Sequence, residues 1–241
     1  MMYLRALDML GEWEEASRLG RPLLQEARRL GQRNSETAFA SRMSVILLRD
    51  DDPEGARELL TRVWKPSLRL GFTVQHYHLL LGLVQTELYR GDGPAAWATL
   101  QAQWPSLVSA LVMRAQYIRL DALHLRARAA LAAAAAGQDP PAMSRIAEDM
   151  ARRIARAGAP WAAPLAPLIR AQIALLTGRP GAAELLEHAA GGLDAAAMKM
   201  YAAAARRRLA EIRGGETGDW MLSQKVKCPE RVTRMLAPVS G

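Results

Sequence analysis

The chain has 241 residues, half of them apolar and only 5% aromatic, with a formal net charge of +8. Alanine, leucine and arginine dominate, and the strand-favouring β-branched and aromatic residues are scarce, so the composition excludes a sheet protein and predicts an all-α one. A single cysteine, Cys228, excludes an internal disulfide and fits a reducing cytoplasm, which is the expected location.

In chain order, residues 1–10 read as the second half of a helix without the charged region, apolar core and cleavage site of a signal peptide. Residues 12–30 form its partner, with Trp13, Ala16, Gly20, Leu23, Ala27 and Leu30 on one apolar face. A helix paired with a truncated neighbour predicts that the chain is the C-terminal piece of a longer protein, or begins at an internal start. Next come helices over 35–49 and 53–70, then 73–90 and 94–111, then 113–136 and 140–157, then 160–176 and 180–190, with a capping helix over 193–212. Pro160, Pro164 and Pro167 predict irregular geometry at one helix start, and Pro66 and Pro105 predict a kink or an end. Trp64 and Trp104, each eight residues after an alanine in its turn, read as repeated core anchors. Residues 93–113 are uncharged over a membrane-like length. Gln101, Gln103, Pro105 and two serines make them a buried helix instead, so no membrane partner is expected.

The turns between these helices share a frame. Gly11, Asp51, Gly91, Gly137 and Gly178 each open a turn, and alanine follows five residues later as Ala16, Ala56, Ala96, Ala142 and Ala183. Proline stands two or three places after the opener in four of the five, where a first helical turn has no N–H bond to lose. A helix stop, a helix start and a small residue recurring about every 40 residues predict an α-α superhelix, a right-handed solenoid of about five helix pairs plus the cap, over residues 1–213. Residues 214–241 form a tail. There Pro229 opens a short helix with Val232, Met235 and Leu236 on its apolar edge, and Trp220 and Met221 are placed to cover exposed core.

The frames Gly11-x-Trp13-x-x-Ala16 and Asp52-Pro53-x-x-Ala56 resemble tetratricopeptide-like repeats, in the longer form of maltose-regulator-type bacterial activators. The ending, with Asp219, Trp220, Met221, Gln224, Val226, Pro229, Glu230, Arg231 and the run Met235 to Pro238, is similar to the C-terminus of large bacterial serine/threonine kinases carrying an ATPase module and such repeats. What the resemblance implies is a sensory or partner-binding segment, with an upstream kinase or ATPase domain as a possible partner. It carries over no kinase activity, because the required residues are absent.

No lysine follows a glycine, so no P-loop is present, and the kinase triplets are missing as well. One cysteine builds no thiolate zinc site, His-Glu-x-x-His does not occur, and neither does Gly-x-Ser-x-Gly. The 28 residues after Arg213 are too few for a DNA-reading helix-turn-helix. Arg152, Arg153 and the run Arg206 to Arg208 span several helix faces, and the run Asp50 to Asp52 reads as a helix N-cap. The expectation is a non-enzymatic protein with no cofactor or metal.

A polar stripe supplies the candidate binding site. His78 and His124 each stand 13 residues before the opener of the following turn, so they hold equivalent places on neighbouring first helices. Gln75, His78 and Gln85 with Tyr117, Asp121, His124 and Arg128 would then line a concave groove for a protein or peptide partner. The alternative is a transcription-associated regulator that contacts nucleic acid through its arginines. A basic surplus scattered through every helix argues more for solubility than for such a footprint.

Overall fold

The computed structural model describes residues 2–63, 71–215 and 220–240, all-helical and with no strand among them. The anchor Trp64, with Pro66, and Asp219 of the tail motif lie outside the described residues. The pairs are α1 (Met2–Leu10) with α2 (Trp13–Arg29), α3 (Arg33–Arg49) with α4 (Pro53–Val63), and α5 (Val74–Arg90) with α6 (Gly93–Ser109). A 3-10 turn over Leu111–Arg114 precedes α7 (Gln116–Ala135), which pairs with α8 (Pro140–Arg156). Then follow α9 (Leu165–Thr177), α10 (Ala182–Ala195), α11 (Lys199–Arg213), α12 (Trp220–Ser223) and α13 (Pro229–Leu236).

The five turns have one geometry. Gly11, Asp51, Gly91, Gly137 and Gly178 all hold positive φ, between 56° and 89°. In each, the N–H after the opener reaches back to a carbonyl five residues earlier, as Glu12 does to Leu7, Asp52 to Leu47 and Asp92 to Glu87. This left-handed cap satisfies carbonyls that a helix end leaves orphaned, and glycine adopts it at least cost. Asp52 and Asp92 then cap the next helix, their side chains accepting from the N–H of Gly55 and Ala95. Asp139 does the same for Ala142.

Successive helices pack on each other, and the first helices also pack among themselves, α1 on α3, α3 on α5, α5 on α7 and α7 on α9. Burial follows from that layering. α3, α5 and α7 are buried around most of their circumference, whereas α2, α4, α6, α8 and α10 bury one stripe and turn the other to solvent. A helix covered on all sides loses the 3.6-residue polar alternation of a surface helix, which accounts for the apolar and alanine-rich run along α7. α11 reaches α1, and α13 packs against both α5 and α11, so the last elements return to the first.

Several expectations change in detail. Ala16, Ala56 and Ala96 are buried at the crossings, but in the fourth and fifth turns Met143 and Ala182 take that place while Ala142 and Ala183 are half-buried. α6 continues through Pro105 to Ser109. Trp104 is half-buried and packed against the core, with the Arg126 guanidinium 4.1 Å from its ring centroid, so it is a core contact and a cation–π partner at once. The expected cap over 193–212 is divided: Leu193 still belongs to α10, which ends at Ala195, Ala197 turns the chain at φ 56°, and α11 starts at Lys199. Among the described residues no helix is long and apolar enough to cross a membrane.

Candidate functional site

The inner faces of the first helices hold the chain's own C-terminal segment. It crosses the turns in sequence order. At the first turn the Glu14 N–H donates to Gln224 Oε1 at 3.1 Å, Lys225 Nζ donates to Glu14 at 2.6 Å, and Lys199 stands 4.2 Å from the Trp220 ring centroid. The Gly11 turn lies so close to the Met200 main chain that a Cβ there would come within 2.7 Å of its nitrogen. At the second turn the Lys227 N–H donates to the Arg49 carbonyl at 2.9 Å. Asp51 there accepts from Tyr89 Oη at 2.7 Å, Cys228 Sγ at 3.2 Å and Arg231 Nη1 at 2.9 Å. At the third turn Arg234 Nη2 donates to the Tyr89 carbonyl at 3.0 Å.

Beyond the third turn the segment enters the interior, where side chains read its main chain. Arg128 Nη1 donates to the Met235 carbonyl at 3.0 Å, Arg208 Nε donates to the Ala237 carbonyl at 2.8 Å, and Gln172 Oε1 accepts the Val239 N–H at 2.7 Å. Two of the three share an offset from the glycine that ends their helix. Gln172 and Arg208 each stand six residues before their glycine, Gly178 and Gly214, as Gln85 stands before Gly91. Val232, Met235, Leu236 and Ala237 are almost fully buried beside them, so apolar contact and main-chain capture act together.

The seven stripe residues divide accordingly. His78, Gln85, Asp121, His124 and Arg128 are buried, Gln75 is half-buried, and Tyr117 is exposed. Tyr77 Oη donates to Asp121 at 2.6 Å, and the carbonyl of His78 accepts from Ser41 Oγ at 2.7 Å. Tyr201 of α11 stands 13 residues before Gly214 and so holds the place of His78 and His124. Its ring centroid is 5.3 Å from that of His124, and the Arg128 guanidinium lies 6.0 Å from it. Burial holds the His124 imidazole well below its ordinary pKa; the neighbouring Arg128 charge adds to this and Asp121 opposes it. His124 is therefore neutral, with Nε2 buried and unpartnered, as are Nε and Nη2 of Arg128 and Oε1 of Gln85.

Tyr117, at the outer end of the stripe, lines an apolar hollow of about 290 Å³ with Met9 and Leu10 of α1, Trp161, and Met198 before α11. That is the seam where the first and last long helices meet. Among the described residues no group of three or more His, Cys, Asp or Glu side chains stands close enough to hold a metal ion.

Two features of this site lie outside the sequence expectations. The run Asp50 to Asp52 is expected to cap a helix, but Asp52 alone caps α4 and Asp51 receives the tail. Gln172 and Arg208 fall outside the stripe, although their shared six-residue offset from a turn glycine was there to be found. Compared with family models, with curated proteins and with solved structures, the chain matches none.

Proposed function

We propose that the chain is a non-enzymatic protein-interaction scaffold, a tetratricopeptide-like superhelix that serves as the partner-binding segment of a bacterial signalling kinase or ATPase regulator in the cytoplasm. The observation that carries this reading is the capture of an extended segment by its main chain, through Arg128, Arg208 and Gln172. Side chains that bond peptide carbonyls and N–H groups recognise a polypeptide backbone, which is the chemistry of a peptide-holding surface rather than of catalysis. With its own tail in that place, the array presents its outer helices and their grooves to other proteins.

The nucleic-acid alternative finds less support in the charge distribution. Many arginines outside α8 are committed to carboxylates, as in Arg21 with Asp50, Arg28 with Glu36, Arg42 with Asp8 and Arg170 with Glu148. A phosphate backbone needs a continuous set of free cations. Titration calorimetry of the chain against the kinase and ATPase domains encoded in its immediate genetic neighbourhood tests the proposal. Saturable one-to-one binding at micromolar affinity or better is expected. Failure of every such domain to bind, with duplex DNA binding whose affinity falls steeply with salt, would replace this reading with the alternative.

A further inference from the structure

The fourth helix pair is where positive charge is left uncompensated. Elsewhere the surface arginines are mostly paired, but Arg145, Arg153 and Arg156 on α8, and Arg179 in the turn after α9, have no carboxylate within salt-bridge distance among the described residues. Two of these four face one groove. Between α8 and the C-terminal end of α9 lies a trough of about 870 Å³, lined by Arg145, Arg152 and Arg179 with Ser144 and Glu148, and floored by Ile173. Pro141, Arg145, Glu148 and Arg152 follow one another at spacings of three and four residues, so they form a single face of α8.

The trough's own acid does not neutralise it. Arg170 Nε and Nη2 bracket Glu148 at 3.1 to 3.3 Å, which commits that carboxylate outside the three lining guanidiniums. Arg152 reaches Asp149 only at 3.5 Å. Ser144 Oγ is buried with no partner in this wall. From residue 141 to residue 152 the face extends about 16 Å at 1.5 Å per residue, the length of about five residues of extended chain.

We propose that this trough is the docking site for an acidic peptide segment of a partner protein, with carboxylates engaging Arg145, Arg152 and Arg179 and one apolar side chain set on Ile173. The assignment rests on the scaffold reading above and gives that scaffold a place and a ligand class. A guanidinium pairs bidentately with a carboxylate, and an apolar floor suits a side chain between two acids. Nucleic acid fits less well. Three cations fall short of the six to ten phosphate contacts of a typical duplex binder, and the lining has no aromatic ring on which a base could stack.

Fluorescence anisotropy with a labelled peptide EELEE on the full chain tests the site, with QQLQQ, KKLKK and a 20-nucleotide oligo(dT) as comparison probes. EELEE is expected to bind saturably at low salt and to lose affinity about tenfold or more in the double variant Arg145→Glu, Arg179→Glu. The comparison probes are expected to bind about tenfold more weakly than EELEE or not at all. Both substitutions lie at the surface, and an unchanged Tm verifies the fold of the variant. Absence of EELEE binding, equal binding by wild type and variant, or tighter binding of oligo(dT) overturns the assignment. The kinase and ATPase domains separate the two readings. If they bind the variant as tightly as wild type, the trough is wrong and the scaffold stands; if EELEE binds as expected but no domain does, the trough stands without that scaffold.

Discussion

Asp51 is the one turn opener that is not glycine, and it occupies the same left-handed region at φ 56°. For a residue with a Cβ that backbone costs about 1–2 kcal/mol, and three donors converge on its carboxylate to offset it. The hydrogen bond from Tyr89, then that from Cys228, hold the Asp51 carboxyl below its ordinary pKa against the opposing effect of burial, with Arg231 adding to them. The same bond to Asp51, with burial, pushes the Cys228 thiol up. A thiol reacts as its thiolate, so Cys228 should be alkylated slowly in the native protein. Asp51→Asn keeps the backbone preference and removes the charge. It should speed alkylation several-fold and lower stability by about 1–2 kcal/mol; an unchanged alkylation rate would show that Asp51 does not hold the tail.

His124 makes a prediction of the opposite chemical kind. Its folded pKa lies well below the unfolded value near 6.5, so the unfolded chain binds the extra proton. The contribution to stability is complete above that pH and is lost as pH falls through it, at up to about 1.4 kcal/mol per pH unit. His76, also lowered by burial, adds a slope of the same sign. Unfolding followed by circular dichroism between pH 7.5 and 5 should show a steeper loss in wild type than in His124→Gln. Equal slopes would mean that His124 is not buried as a neutral ring. The sequence revealed that His78 and His124 are equivalent, because the repeat fixes a position relative to its turn. It did not reveal that they are buried, because periodicity says nothing of what lies against an inner face, and here that includes Tyr201 of α11 beside His124 and α13 against the helix of His78, both far along the chain.

At the scale of elements, the stop-and-start turns were legible because glycine and proline act locally. The break at Ala197 was not, since alanine carries no turn signal and the positive φ there is imposed by the packing around it. The alanine offset slipped by one residue in the fourth and fifth turns, where Asp139 and Gly181 enter the next helix from a left-handed conformation. Close approach between elements also sorts the helical glycines. A Cβ on Gly93, at the start of α6, would lie 2.2 Å from the Ala132 carbonyl oxygen of α7, whereas one on Gly191 in α10 would meet nothing within 4 Å. Gly93→Ala should therefore destabilise by about 1–3 kcal/mol. Gly191→Ala should stabilise by about 0.5–1 kcal/mol through helix propensity alone. Chemical denaturation measures both, and the same sign for the two would contradict the packing assigned to the α6–α7 contact.

For the molecule as a whole, a hairpin array left with an open inner face would expose the apolar sides of its first helices. This chain covers them with residues 220–240, and the cover is bonded to α2, the turn after α3, α5, α7, α9 and α11 in turn. Array and tail should then unfold as one cooperative unit. Surface ion pairs are dispersed along it and each contributes little, so added salt should leave this unit intact while weakening the docking of an acidic peptide. The most direct test is native-state amide hydrogen exchange at Lys227 and Val239, whose N–H groups bond to the Arg49 carbonyl and to Gln172. Protection matching that of the central amides of α7 is expected; exchange at the rate of an unstructured peptide, with α7 still protected, would contradict the account.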